Sequence, residues 1–291
     1  MVHADVGIVH PGAMGARVAA QAVAAGARVW WVPQGRSAAT RERAEEFGLR
    51  PAAGLTELTD RCPVVLSVCP PAAALDLARQ VAAAGFDGVY VDANAVSPAR
   101  VARIAEALAG TGATLVDGGI AGPPPRTPGT TRLYLSGDAP AVEEVHQLFA
   151  GTLLTPVALA GPVGRASALK LAFAAYNKIS YALAAEASAL AESHGVLDDL
   201  RDLAGHLLPG TPLASPAQLA GAGPRAWRWE PEMTEIAEAC RDSALPGAFA
   251  DAAAQVFARW QAHKDDGSVT AGRLIAELGG TGGPSGPPRH S

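Results

Sequence analysis

Val6-Gly7-Ile8-Val9-His10-Pro11-Gly12-Ala13-Met14-Gly15 joins a short apolar strand to a helix, expected over Ala13–Ala25 and rich in small residues. Gly12 lets the backbone approach a pyrophosphate. Gly15 lets helix and strand pack closely. The first turn of the helix then offers unpaired N–H groups and a partial positive charge to an anion. The G-x-G-x-x-G pattern of dinucleotide-binding turns is incomplete, because His10 stands where its first glycine belongs. A plain tight turn would use the same glycines. Its place at the first strand of an α/β half is what favours the nucleotide. His10, Pro11, Gly12, Ala13 and Met14 are therefore candidate cofactor contacts.

Downstream, short apolar strands alternate with helices. Strands are expected at Arg28–Val32, Val64–Cys69, Val89–Val91, Thr114–Val116 and Arg132–Leu135. Helices are expected at Ala38–Phe47, Ala72–Ala84 and Pro98–Ala109. This alternation predicts a parallel sheet covered on both faces. After about residue 160 the strand signals stop. Long helices are expected over Ala166–His194, Asp198–Leu208, Pro231–Ser243 and Ala248–His263. The organisation predicted is a doubly wound α/β domain over residues 1–160, an all-α domain over 161–278, and a Gly/Pro-rich disordered tail over 279–291.

The end of the second strand bears on which dinucleotide is bound. NAD sites usually carry an acid about 20 residues after the glycines, bonded to the ribose 2′-hydroxyl. Here Trp31-Val32-Pro33-Gln34-Gly35-Arg36-Ser37 follows, and the first acid after Ala13 is Glu42. Gly35, Arg36 and Ser37, with Thr40 and Arg41, can gather around a 2′-phosphate. This favours NADPH over NADH. The plainer reading is a solvated basic turn with Ser37 capping a helix.

Strand ends in such a sheet face the cofactor. Val68-Cys69-Pro70-Pro71 closes one strand in a rigid turn, and Asp92-Ala93-Asn94-Ala95 closes the next. Cys69 and Pro70 are placed at the nicotinamide end. Asn94 is either a ribose or carboxamide partner or a turn residue before the Ser97-Pro98 helix start. Asp117-Gly118-Gly119-Ile120-Ala121-Gly122-Pro123 reads as a strand-to-loop transition whose glycines open space for substrate. Arg126, further on, is either an anion ligand or simply exposed.

On the longest helix, Lys170, Ala174, Asn177, Tyr181 and Ser188 share one face at about 100° per residue. A polar stripe on an otherwise apolar helix needs partners. Lys170 can hydrogen-bond a carbonyl oxygen or supply a proton, or it can simply snorkel from the first turns. Trp227, Trp229, Met233 and Trp260 are a pocket lining or ordinary helix packing.

Composition excludes other classes. The hydrophobic fraction is 49% and the charged fraction 18%, which supports a buried core rather than disorder. A net charge of −5 with no basic patch argues against nucleic acid. Cys62, Cys69 and Cys240 have no paired spacing, which argues against a disulfide scaffold or a C-x-x-C zinc site. His194, His206 and His263 have no partners at ligand spacing, so no metal is assigned. The apolar stretch around Leu169–Leu190 is broken by Lys170, Lys178 and Glu186. Met1–Asp5 leads straight into a strand with no signal-peptide pattern. A cytoplasmic protein, with no membrane and no nucleic-acid partner, is expected.

His10-Pro11-Gly12-Ala13-Met14-Gly15, Gly35-Arg36-Ser37, Asp92-Ala93-Asn94-Ala95, Ser167-Ala168-Leu169-Lys170 and Ala226-Trp227-Arg228-Trp229 together resemble the β-hydroxyacid dehydrogenase superfamily. This group also holds 6-phosphogluconate dehydrogenases and imine reductases, and the likeness is to a little-characterised phosphogluconate dehydrogenase-like branch. The resemblance implies a Rossmann domain, a helical second domain, and a homodimer interlocked around the long helix. It places the catalytic lysine at Lys170, the glycine-rich substrate loop at Gly118–Gly122, and nicotinamide-side contacts at Pro70 and Asn94.

Three departures bear on the substrate. Ala121 stands where the family commonly has a carboxylate-binding serine. Phe173 and Ala174 stand where its asparagine lies, with Asn177 as a substitute. Thr234 replaces a C-terminal cofactor lysine. The substrate-side candidates are Gly119, Ala121, Gly122, Trp229 and Met233. The function expected is an NADPH-dependent oxidoreductase acting on a small hydroxy or keto substrate. The alternatives are an imine reductase, favoured by the missing serine, and a non-catalytic dinucleotide-binding regulator.

Overall fold

The computed structural model describes residues 4–279. The chain forms two compact units, one ending at Ala172 and the other beginning at Phe173.

The first unit is built on one eight-stranded sheet. Its strands are β1 (Asp5–Ile8), β2 (Arg28–Trp31), β3 (Arg50–Pro51), β4 (Val64–Ser67), β5 (Val89–Asp92), β6 (Thr114–Ala121), β7 (Thr131–Gly137) and β8 (Leu154–Ala158), in the order β3-β2-β1-β4-β5-β6-β7-β8. The first six run parallel, and β7 and β8 run against them but parallel to each other. Helices α1 (Ala13–Ala24), α2 (Ala38–Glu46), α3 (Leu55–Arg61), α4 (Ala74–Ala83), α5 (Pro98–Leu108) and α6 (Ala139–Phe149) complete the unit. The order 3-2-1-4-5-6 is that of the Rossmann fold, whose chain reverses direction across the sheet between β1 and β4. The expected fold class, a doubly wound N-terminal sheet followed by helices, is the one found.

Side-chain alternation explains the two layers. Val6, Ile8, Leu66 and Val91 enter one core with Val18 and Ala22 of α1 and Phe149 of α6. Val65 and Tyr90, one residue out of phase, enter the opposite core with Leu58 of α3, Val81 of α4 and Ile104 of α5. A strand period of two feeds both faces, which is why these strands read as continuous apolar runs.

Helix α7 (Arg165–Ser193) begins in the first unit and continues into the second. The second unit adds α8 (Leu197–Leu207), α9 (Pro216–Ala220), α10 (Ala226–Asp242), α11 (Ala248–Arg259) and α12 (Ala271–Gly279). Among the described residues no strand follows β8. Trp229 centres this unit's core, with Tyr181 and Phe257 each 5.3 Å away between ring centroids. Lys178 and Glu232 form a largely buried ion pair there, and the ammonium lies 5.5 Å from the Trp229 ring. One face of α7 remains bare: Leu169, Phe173, Tyr176, Leu183 and Leu190 are 42–82% exposed.

Several expectations need correction. Strand β6 runs on to Ala121, so residues 117–121 are strand and not the start of a loop; Asp117 pairs with Ser136 and Ala121 with Arg132. Helices α3, α6, α9 and α12 and strands β3 and β8 had no counterpart among the expected elements. Helix α10 starts at Ala226, five residues before Pro231, which lies inside it. Ala72, expected as a helix start, lies in a 3₁₀ turn over Pro71–Ala73. The proposed tail from residue 280 onward lies outside the described residues, and Gly279 closes α12.

Candidate active site

Because β1, β2, β4 and β5 are parallel, the turns that follow them lie along one edge of the sheet. Those turns hold His10–Gly12, Gly35–Ser37, Cys69–Pro70 and Asn94. Four candidate segments, scattered over 85 residues of sequence, are thus brought to a single edge.

At the first turn, Gly12 is the N-cap of α1 and provides no side-chain cap, and no acid sits in the helix's first turn. The amides there are left for an external anion. Gly15 is required by packing, since a Cβ would collide with the His10 carbonyl oxygen. A Cβ on Gly12 would stand 3.2 Å from Cδ2 and Nε2 of His10, so the imidazole lies against that glycine. Pro11 is buried, Met14 is half-buried, and Ala13 is exposed.

Arg36 reaches back to this turn. Its Nη1 donates to His10 Nδ1 at 2.8 Å and its Nη2 to the Val9 carbonyl at 3.1 Å. Its Nε is enclosed and has no hydrogen-bond partner. Burial, with Arg36 and then Arg43 nearby, holds His10 below its ordinary pKa. Ser37 caps α2, its hydroxyl accepting from the Thr40 amide at 3.3 Å. The plainer role for Ser37 is therefore real, and it leaves the exposed hydroxyl at the sheet edge beside Arg36.

Asn94 is buried, and its amide is engaged by the protein. Nδ2 donates to Ser67 Oγ and to Asp92 Oδ2, each at 2.9 Å, and Oδ1 accepts from the Cys69 amide at 2.5 Å. Both amide hydrogens are used, so no donor remains for a ribose or a carboxamide. Asn94 instead ties the end of β5 to the Cys69–Pro70 turn after β4. Beneath it, Asp92 is fully buried. Burial pushes its carboxyl up to about 7 against the pull of the Asn94 bonds, and Asp117, its register partner on β6, adds to the rise. The Cys69 thiol is also pushed up by burial, to about 11, so it is no nucleophile at neutral pH.

Asp117 was missed in the sequence reading. Its Oδ2 accepts from the amides of Gly164 and Ser167 and from Ser136 Oγ, at 2.9, 3.0 and 3.0 Å, and its Oδ1 accepts from Ser167 Oγ at 2.5 Å. One buried carboxylate thereby seats the start of α7 on β6. Gly119 completes the seat. A Cβ there would lie 2.7 Å from the Ala166 carbonyl oxygen and 3.1 Å from Lys170 Cβ. Gly119 makes room for the helix that carries Lys170. Lys170 is half-buried, Ala121 is half-buried, and Gly122 and Arg126 are exposed. A sequence signal for Asp117 existed: an aspartate directly after an apolar strand run, repeated in Val91-Asp92 and Val116-Asp117.

The remaining candidates belong to the second unit. Asn177 is half-buried on α7. Trp229 is 5% exposed and Met233 0%, so both serve the helical core. Among the described residues no group of three or more His, Cys, Asp or Glu could hold a metal ion, and no helix is long and apolar enough to cross a membrane.

The sheet edge suits an extended ligand with phosphates: an uncapped helix start, a glycine under the ligand path, and an arginine with donors to spare. Comparison with known proteins agrees. The family model described as the NAD binding domain of 6-phosphogluconate dehydrogenase matches residues 5–152, and a domain of unknown function, DUF1932, matches residues 191–260. An uncharacterized 28.5 kDa protein of Methanothermus fervidus is 28% identical over 171 residues, 58% of this chain and 64% of that protein. The chain thus matches less than two thirds of that relative. A conserved protein of unknown function, MTH1747, described as structurally similar to 3-hydroxyacid dehydrogenases, superposes with a TM-score of 0.70 at 24% identity, covering 89% of this chain and 97% of the other. A 3-hydroxyisobutyrate dehydrogenase of Mycobacterium tuberculosis superposes with a TM-score of 0.75 at 17% identity, covering 95% and 99%. At these identities the structural likenesses speak to the fold.

Proposed function

The chain belongs to the family of the 6-phosphogluconate dehydrogenase NAD-binding domain, and from that premise we propose that it is an NADPH-dependent oxidoreductase that moves a hydride between nicotinamide and a small hydroxy or keto compound. The observation that carries the cofactor choice is Arg36. It sits after β2, where an NAD site would have its acid. Two of its five N–H groups are engaged by His10 and Val9 and the one on Nε is enclosed, leaving one on each of Nη1 and Nη2 for a 2′-phosphate.

In this reading the start of α1, over Pro11 to Met14, holds the pyrophosphate. Gly35, Arg36 and Ser37 hold the adenosine 2′-phosphate. Cys69 and Pro70, set by Asn94, border the nicotinamide end. When bound, the nicotinamide supplies or accepts the hydride. Lys170 orients the substrate heteroatom and exchanges a proton with it, held in place by Asp117 and Gly119. Asn177, seven residues on along the same helix, assists. Ala121 in place of a hydroxyl residue favours a second reading, reduction of a C=N bond. A panel of small ketones, hydroxyacids and cyclic imines with NADPH separates the two. A protein that binds NADPH but turns over none of them, with or without Lys170, is a regulator and not an enzyme.

We further propose a homodimer in the cytoplasm. The bare face of α7 supports the dimer: Leu169, Tyr176, Leu183 and Leu190 recur every seven residues, with Phe173 between. A helix stripe of this kind calls for a partner helix. The three cysteines are free, in keeping with a reducing compartment.

A further inference from the structure

We propose that His10 positions Arg36 for the 2′-phosphate, so that the choice between phosphorylated and unphosphorylated dinucleotide rests on a histidine–arginine pair and not on the arginine alone. This rests on the NADPH reading above.

A free arginine side chain after β2 has many rotamers, and holding it in one is costly. Here two contacts fix it. The Val9 carbonyl takes Nη2 and the His10 imidazole takes Nη1. The Val9 carbonyl is part of the backbone and is present whatever residue follows. The His10 contact depends on a side chain at the very position where the dinucleotide fingerprint has a glycine, which offers none.

The protonation state suits the task. A guanidinium can only donate, so Nδ1 must be the bare nitrogen and the ring hydrogen resides on Nε2. Burial and the two arginines Arg36 and Arg43 favour this neutral form. Gly12 is matched to the arrangement. It leaves the ring room, since even a Cβ there would come within 3.2 Å of it. The departure from the glycine pattern at residue 10 is thus coupled to the basic residue at 36, across 26 positions of sequence.

The test is titration of the full-length protein with NADPH and with NADH, followed by calorimetry, for the wild type and for His10→Gly, His10→Asn and Arg36→Ala. Asparagine keeps an acceptor near the place of Nδ1, whereas glycine removes it. His10→Gly is expected to raise the NADPH Kd by about tenfold, the scale of one charge-assisted hydrogen bond. The NADH Kd should move far less, and His10→Asn should retain most of the preference. In the Arg36→Ala background, His10→Gly should leave the NADPH/NADH ratio where it is, because the pair is already broken. An unchanged or stronger NADPH preference in His10→Gly overturns the proposal, as does an equal loss for both nucleotides. If the wild type itself shows no preference, the cofactor reading falls and this inference falls with it. A preference abolished by Arg36→Ala but untouched by His10→Gly rejects only the role of His10.

Discussion

Asp117 accepts hydrogen bonds from both the amide and the hydroxyl of Ser167, at 3.0 and 2.5 Å. The same carboxylate receives Gly164 and Ser136. Replacing it with alanine strands several buried donors, each worth about 1–3 kcal/mol when left unmet. Asp117→Ala is expected to lower the unfolding free energy by about 3 kcal/mol or more, read from denaturant titration. Asp117→Asn, which keeps one acceptor, should fold better yet show reduced kcat with an NADPH Kd close to wild type. A loss of NADPH affinity as large as the loss of kcat would show that Asp117 supports the whole edge and not Lys170.

Lys170→Ala should cut turnover by at least about 100-fold, the usual contribution of a positioned proton donor. NADPH binding should persist. Turnover within a few-fold of wild type, on whichever substrate the panel identifies, removes Lys170 from the chemistry.

Arg36→Ala should weaken NADPH by roughly 10- to 100-fold and NADH far less, the range for a lost ionic hydrogen bond. Fluorescence quenching by each nucleotide measures it directly. Parallel losses would place the 2′-phosphate elsewhere.

The buried Asp92 predicts a pH effect. Its carboxyl is raised from 3.8 to about 7, so the folded chain binds a proton that the unfolded chain has released. The stability from this group is full below the unfolded value and is lost as the pH rises through about 7, with a limiting slope of about 1.4 kcal/mol per pH unit. Asp92→Asn should flatten that part of the stability curve. His10, shifted downward, acts with the opposite sign: its contribution is present above 6.5 and is lost as the pH falls through its folded value. Unfolding curves of wild type and Asp92→Asn that stay parallel from pH 5 to 8 would refute the assignment to Asp92.

For the dimer, Tyr176→Glu combined with Leu183→Glu places charges on the bare stripe of α7. Light scattering should show the wild type at twice the chain mass and the double variant at the chain mass. A wild-type protein of single-chain mass at micromolar concentration rejects the dimer.

The Rossmann half was legible because its signals are local. Val64–Leu66 and Val89–Val91 are buried on both faces and therefore uninterrupted in apolar character. The end of β6 was not legible. Gly118 and Gly119 look like loop residues, and only the partner strand, through pairs such as Gly119 with Tyr134, makes them sheet. Helix α6 carried readable signs, with Asp138 capping it and Pro140 in its first turn. Pro231 misled for the opposite reason: proline favours a helix start, yet here five helical residues precede it. At the site, glycine and arginine positions followed from turn chemistry. The Asn94 and Asp117 networks did not, since a hydrogen-bond partner 27 or 50 residues away leaves no mark on local sequence.

The backward course of β7 and β8 governs where α7 is launched. Leu154 lies beside Thr131, Ala158 beside Leu135, and Gly137 beside Val116, so the polypeptide descends through β8 and leaves near the foot of β6. From there α7 ascends past Asp117 and Gly119, delivering Lys170 toward the rim where the parallel strands end. Had β8 pointed the other way, the same helix would have departed from that rim, and its lysine would have travelled off with it.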